Sequence, residues 1–162
     1  MAATSWDPRN PQIHSGPRRI MYGSLEANSQ TFKAGALVYS NGGAITVAAV
    51  GDVPFLGIAM KDATNVTSDN IEIPVMLITG DNIVRMMVQD GSDALEAADT
   101  TCVAGTAYDF EVDTTDSYFA IDSSDTTNPK MVFLEPVNDV NGASTYAGLF
   151  KPLYVEVQAE AQ

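Results

Sequence analysis

A chain of 162 residues, 45% of them hydrophobic, is long enough to bury one core. Its 8 Lys/Arg stand against 21 Asp/Glu, a net charge of -13, which argues against nucleic acid and anionic membrane surfaces as partners, since cations hold both. One Cys and one His exclude an internal disulfide and a closed zinc site built by a single chain, and no apolar run reaches the roughly 18 residues of a membrane span.

The charge is unevenly placed. Residues 1–30 carry three Lys/Arg against two Asp/Glu, and everything after them carries five against 19. The opening stretch also holds Pro8, Pro11 and Pro17 with few aliphatic residues, so it is expected to be an extended N-terminal arm that orders only on a neighbour. Along it, Trp6, Arg9, Ile13, Arg18, Arg19, Ile20 and Tyr22 are the candidate contacts, as apolar anchors for grooves and arginines for carboxylates. The stretch lacks the order of a secretory signal. Removing residues 1–23 is expected to leave the remaining domain folded.

From residue 31 to 158 the pattern predicts one all-β domain, a compact small β-barrel, sandwich or β-tulip-like body of eight or nine strands, followed by a frayed tail at 159–162. Residues 36–40 and 44–49 flank Asn41-Gly42-Gly43, whose glycines supply the positive φ angles of a tight hairpin. After a turn at 51–54, strands are expected at 55–60 and 71–78, the latter with Pro74 at an edge or bulge. Another follows at 83–88, and a short helix over 93–98. Later strands are expected at 107–112, 118–121, 131–134 and 148–157. Cys102 reads as a small core residue.

Catalytic constellations are scarce. The only histidine, His14, lies in the arm, away from a core that would hold a general base rigid. Glycines 35, 42, 43, 51 and 57 form no phosphate loop and read as hairpin or bulge residues. Acidic residues fall in turn contexts, where Asp caps the backbone; among them Asp122 and Asp125 are the oxygen ligands a Ca2+ would find. The reading is therefore non-enzymatic, without a cofactor.

Phe32-Lys-Ala-Gly-Ala-Leu-Val-Tyr-Ser-Asn-Gly-Gly-Ala-Ile-Thr-Val-Ala, continued by Pro54-Phe-Leu-Gly-Ile-Ala-Met and Asp62-Ala-Thr-Asn-Val-Thr-Ser, resembles the decoration, or cement, proteins of tailed bacteriophage heads. The likeness extends more loosely through residues 71–78 and 122–129. It implies a virion protein on the outer capsid surface, made in the host cytoplasm and bound across junctions of the major capsid protein as a homotrimer at three-fold or quasi-three-fold positions. Two other classes compete with it. A carbohydrate- or receptor-binding β module of a fibre or head appendage would use exposed aromatics such as Tyr108, Tyr118, Tyr146 and Tyr154. A glycan-active enzyme would use two carboxylates.

Overall fold

Alternation at period two produces short strands and almost no helix. The computed structural model describes residues 9–48, 55–64, 70–113 and 118–153. Trp6, Tyr154, the turn expected at 51–54, the end of the last expected strand and the tail at 159–162 lie outside the described residues. In chain order the strands are β1 (Gln12–Ser15), β2 (Ile20–Met21), β3 (Leu37–Asn41), β4 (Ala44–Val47), β5 (Gly57–Ala59), β6 (Val75–Leu77) and β7 (Ile83–Gln89). One helical turn, α1 (Ala98–Thr101), precedes β8 (Ala107–Tyr108), β9 (Phe110–Val112), β10 (Phe119–Asp122), β11 (Met131–Asn138) and β12 (Ser144–Pro152). The molecule is all-β.

The strands form two sheets. In the larger, the order is β8-β11-β12-β7-β10-β9. β12 takes one edge of β7; on the other, β1 covers residues 83–85 and parallel β10 covers 87–89. The run expected as one strand over 107–112 splits at Asp109, so that β8 pairs with β11 at one end of the sheet and β9 with β10 at the other. That split strand curls the sheet until it is nearly closed.

The smaller sheet has the order β2-β6-β5-β3-β4, with the Gly42-Gly43 turn at φ +60° and +90° closing the β3–β4 hairpin as expected. Residues 24–27 tie this sheet back on itself. Ile45 N donates to Leu25 O at 2.8 Å and Ala27 N to Ile45 O at 2.8 Å, while Ile73 N donates to Ser24 O at 2.9 Å and Glu26 N to Ile71 O at 2.9 Å. Pro74 stands where 71–73 gives way to β6, a break in which its missing N–H costs no ladder bond. The Glu26 carboxylate, buried at this closure, accepts from Thr64 N at 2.8 Å, Thr64 Oγ1 at 2.5 Å and Ile71 N at 3.3 Å, which satisfies a charge that would be costly alone.

Both sheets share one core. Leu37, Val38, Ile45 and Val75 from the smaller sheet join Val84, Met86, Val88 and Ile121 from the larger, and Phe55 meets Phe110 with ring centroids 5.2 Å apart. Cys102 is part of this core, and burial pushes its thiol up to about 11, which keeps it protonated and unreactive at neutral pH.

Three elements differ from expectation. The arm, as far as it is described, is woven into the body: β1 belongs to the larger sheet and β2 to the smaller, so deletion through residue 23 would take strands from both. The helix lies at 98–101 and not over 93–98, because the Gln89↔Leu95 bridge and the Asp90 N to Ala94 O and Glu96 N to Val88 O bonds extend that stretch against the end of β7. The final hairpin is longer than the 131–134 and 148–157 runs suggest. Its alternation is broken by irregularities at Phe133/Glu135 and Val137/Asn138, which mask strand periodicity in a linear reading.

Candidate docking surface

β1 and β2 lie on different sheets, and the chain between them bridges the gap over an open groove of about 490 Å3. Its lining comes from four parts of the sequence: Pro11, Gln12, Ile13 and Arg18; Ala34 and Gly35; Ile58, Ala59 and Met60; and Met76. Register explains its apolar floor. Leu37 pairs with Ile58, Ile58 with Met76 and Met76 with Ile20, and directly opposed residues share a face. Exposure rises along that row, from 0% at Leu37 and 9% at Ile58 to 37% at Ile20. Met60, also a lining residue, is 43% exposed, and Tyr22, two residues after Ile20, is 66% exposed.

One cation lines the groove, and others are close to it in the sequence. Arg18 lines the groove, and Arg19, Lys33 and Lys61 are each the immediate chain neighbour of a lining residue, as is His14. Of the protein's 8 Lys/Arg, Arg18 is the one that lines the groove, and none of its 21 Asp/Glu is a lining residue. Arg18 Nη2 donates to Ile13 O at 2.9 Å, fixing the guanidinium across the gap. Lys33 is partly neutralised by Asp62 at 2.8 Å, a hydrogen bond that holds the Asp62 carboxyl below the usual range.

The expected contact residues divide. Arg18 lines the groove and Ile20 lies beside it through its pairing with Met76, while Arg19 and Tyr22 are their neighbours in the chain. Ile13 does not act as an exposed anchor: it is 8% exposed, paired with Val84 and part of the core. Arg9 is elsewhere, its guanidinium carbon 4.3 Å from the centre of the Tyr118 ring, a cation–π contact. Trp6 lies outside the described residues. Sequence reasoning missed Gln12, Met60, Lys61 and Met76, because no local pattern joins residues so far apart in the chain.

No family model matches this chain, and no curated protein does either.

The acidic turns gather at another end of the larger sheet. Asp122 Oδ1 accepts from Ser124 N at 2.9 Å and Ser124 Oγ at 2.6 Å, and Asp125 Oδ1 accepts from Thr127 N at 2.7 Å. These are turn caps, and among the described residues no group of three His, Cys, Asp or Glu side chains could hold a metal ion. Of the tyrosines expected to serve a sugar-binding face, Tyr108 and Tyr118 are buried, Tyr146 is exposed and Tyr154 lies outside the described residues.

Glu111 beside these turns sets a pH response. Burial first, then the Asp122, Asp93 and Asp90 charges, push its carboxyl up to about 7 against one bond from Gly91 N. The folded state therefore binds a proton more tightly than the unfolded chain. Its stabilising effect is fully present below the ordinary Glu range and is lost as pH rises through about 7. In thermal unfolding, Glu111→Gln is expected to be more stable than wild type at about pH 8 and to lose that advantage at about pH 4. A parallel pair of stability curves would show that the local carboxylates do not couple.

Proposed function

We propose that the protein is a non-enzymatic virion component that decorates the outside of a tailed bacteriophage capsid, docking on the major capsid protein and holding junctions between capsid subunits closed. The observation that carries this reading is the apolar groove lined by Arg18, Ile58, Met60 and Met76, with the exposed Ile20 paired to Met76 and Tyr22 close to it in the chain, on a protein of net charge -13. Such a surface fits an acidic protein with apolar knobs. The resemblance of residues 32–48 and 54–68 to capsid decoration proteins supplies the partner. Self-association into a trimer would add avidity, because footprints joined in one body dissociate far more slowly than one alone.

Co-sedimentation with capsids stripped of this polypeptide tests the reading. Wild type is expected to bind saturably at hundreds of copies per capsid. Tyr22→Asp and Ile20→Asp, both at exposed positions, are expected to weaken binding by about tenfold or more with unchanged β-sheet circular dichroism. Equal binding by these variants would remove the surface from the interface, and absence of the polypeptide from purified virions would end the proposal.

A further inference from the structure

Two of the chain's asparagines, Asn41 and Asn141, precede a glycine. The dipeptide matters because the main-chain nitrogen of the next residue can attack an asparagine side-chain amide, and glycine has no side chain to obstruct the approach. Both pairs are exposed, and both lie at hairpin turns. Their hydrogen bonds differ. In the β11–β12 turn Gly142 N donates to Asp139 O at 3.0 Å, and Asp139 Oδ1 accepts from Asn141 N at 2.8 Å and Ala143 N at 2.9 Å. The nitrogen that would attack is thus engaged, inside a turn fixed on both sides. In the β3–β4 turn Gly42 N has no hydrogen-bond partner among the described residues, and nothing lies within 4 Å of where a Gly42 Cβ would stand. Asn41 itself is held by the last pair of the ladder, Asn41↔Ala44.

We infer that Asn41 is a self-modification site, at which Gly42 N converts the side-chain amide to a carboxylate, and that the same dipeptide at Asn141 is protected by its turn. Gly42 N bonds to Asn41 Cγ and the Cγ–Nδ2 bond breaks. The proton given up by Gly42 N balances the one the departing amide takes to leave as ammonia. Water then opens the cyclic imide at one of its two carbonyls. Opening at Cγ restores the main chain as aspartate; opening at the main-chain carbonyl leaves the chain running through Cβ and Cγ as isoaspartate, one methylene longer. Each product adds one negative charge to a protein already at -13. The longer main chain also disturbs the Asn41↔Ala44 pair, so conversion loosens the hairpin at one end of the smaller sheet. Other asparagines lack this combination. Asn10 and Asn128 precede prolines, which have no N–H to lose, and Asn82 is fully buried. The inference is independent of the capsid reading.

A time course on the purified full chain tests it, read by peptide mapping with mass spectrometry. In mildly alkaline buffer, where the attacking nitrogen loses its proton more readily, the Asn41 peptide is expected to convert to aspartate and isoaspartate with release of ammonia. The Asn141 peptide is expected to convert about fivefold to tenfold more slowly, the factor set by one further hydrogen bond to be broken before attack. In denaturant the two peptides should convert at similar rates, which assigns the difference to the fold. Gly42→Ala, whose methyl group obstructs the attack, is expected to suppress conversion at position 41 alone, and Asp139→Ala, which removes the caps of the second turn, to speed it at position 141 alone. Conversion of Asn41 no faster than that of Asn141 in the folded protein would overturn the proposal, as would an Asn41 that stays intact until the protein is unfolded. A difference of the same size in denaturant would assign it to the local sequence and overturn the protection at Asn141.

Discussion

Replacing Gly57 by alanine is expected to cost at least about 3 kcal/mol and to leave much of the protein unfolded at physiological temperature. A Cβ at this position would lie 2.1 Å from the backbone oxygen of Met76 and 2.8 Å from Val75 Cγ1. The first contact cannot be relieved by turning a side chain. β5 lies between β3 and β6, where Gly57 faces Val38 on one side and Leu77 on the other, so making room forces β5 and β6 apart in the middle of the smaller sheet. The same movement would break the Ile58–Met76 register that forms the groove floor. Gly42→Ala is the control: its Cβ would meet nothing within 4 Å, and only φ +60° is strained, for about 1 kcal/mol. Denaturant titration of the two variants should separate steric from conformational need. Equal small losses would mean that the sheet yields at Gly57.

These two glycines also mark what a linear reading can see. Asn41-Gly42-Gly43 announces its turn because the requirement is local, and β7 is legible because a short, mostly apolar run follows directly on the Gly80-Asp81-Asn82 turn. Gly57 looks in sequence like any other bulge glycine, since the atom that excludes a Cβ belongs to a strand 19 residues later. The ordering of the N-terminal stretch is hidden in the sequence for a related reason. With four and two residues, β1 and β2 are too short and too close to prolines to show a period, and what orders them is contact with β7, β6 and the 79–82 turn. Likewise the groove. Its lining is spread from Pro11 to Met76 in the sequence, and only the folded chain gathers it.

The compositional boundary at residue 30 is therefore no boundary of the fold. From Asn10 onward the proline-rich stretch is anchored: Asn10 Oδ1 accepts from Phe119 N at 3.0 Å, Ile13 enters the core, and residues 24–27 close the smaller sheet. What the stretch contributes is its basic and apolar side chains, presented from a fixed position and not from a loose tether. A preordered surface loses less entropy on docking than a disordered arm, so the proposed contacts call for point substitutions and not truncation.

Asn82 decides whether that presentation survives. Its side chain is fully buried, with Oδ1 accepting from Thr79 N at 2.8 Å and Thr79 Oγ1 at 3.1 Å and Nδ2 donating to Pro17 O at 2.8 Å and Ser15 O at 3.3 Å. One amide thus joins the 79–82 turn to the bend between β1 and β2, where a Cβ on Gly16 would already be 2.6 Å from Asp81 O. Asn82→Ala leaves Thr79 N and both carbonyls without these bonds, for roughly 2 to 3 kcal/mol. Asn82→Asp is expected to be worse at neutral pH, by roughly 3 to 5 kcal/mol, because it keeps the acceptor and turns a buried carboxylate oxygen toward two carbonyl oxygens. Burial raises the pKa of such an acid, so stability should return as pH falls and the protonated group donates to Pro17 O again. Denaturation of both variants at about pH 8 and about pH 5 checks the order. A reversal, with the Asp variant worse at pH 8 and better at pH 5 than the Ala variant, is the expected signature. An Asp variant as stable as wild type at both would mean that the bend is held by something other than this amide.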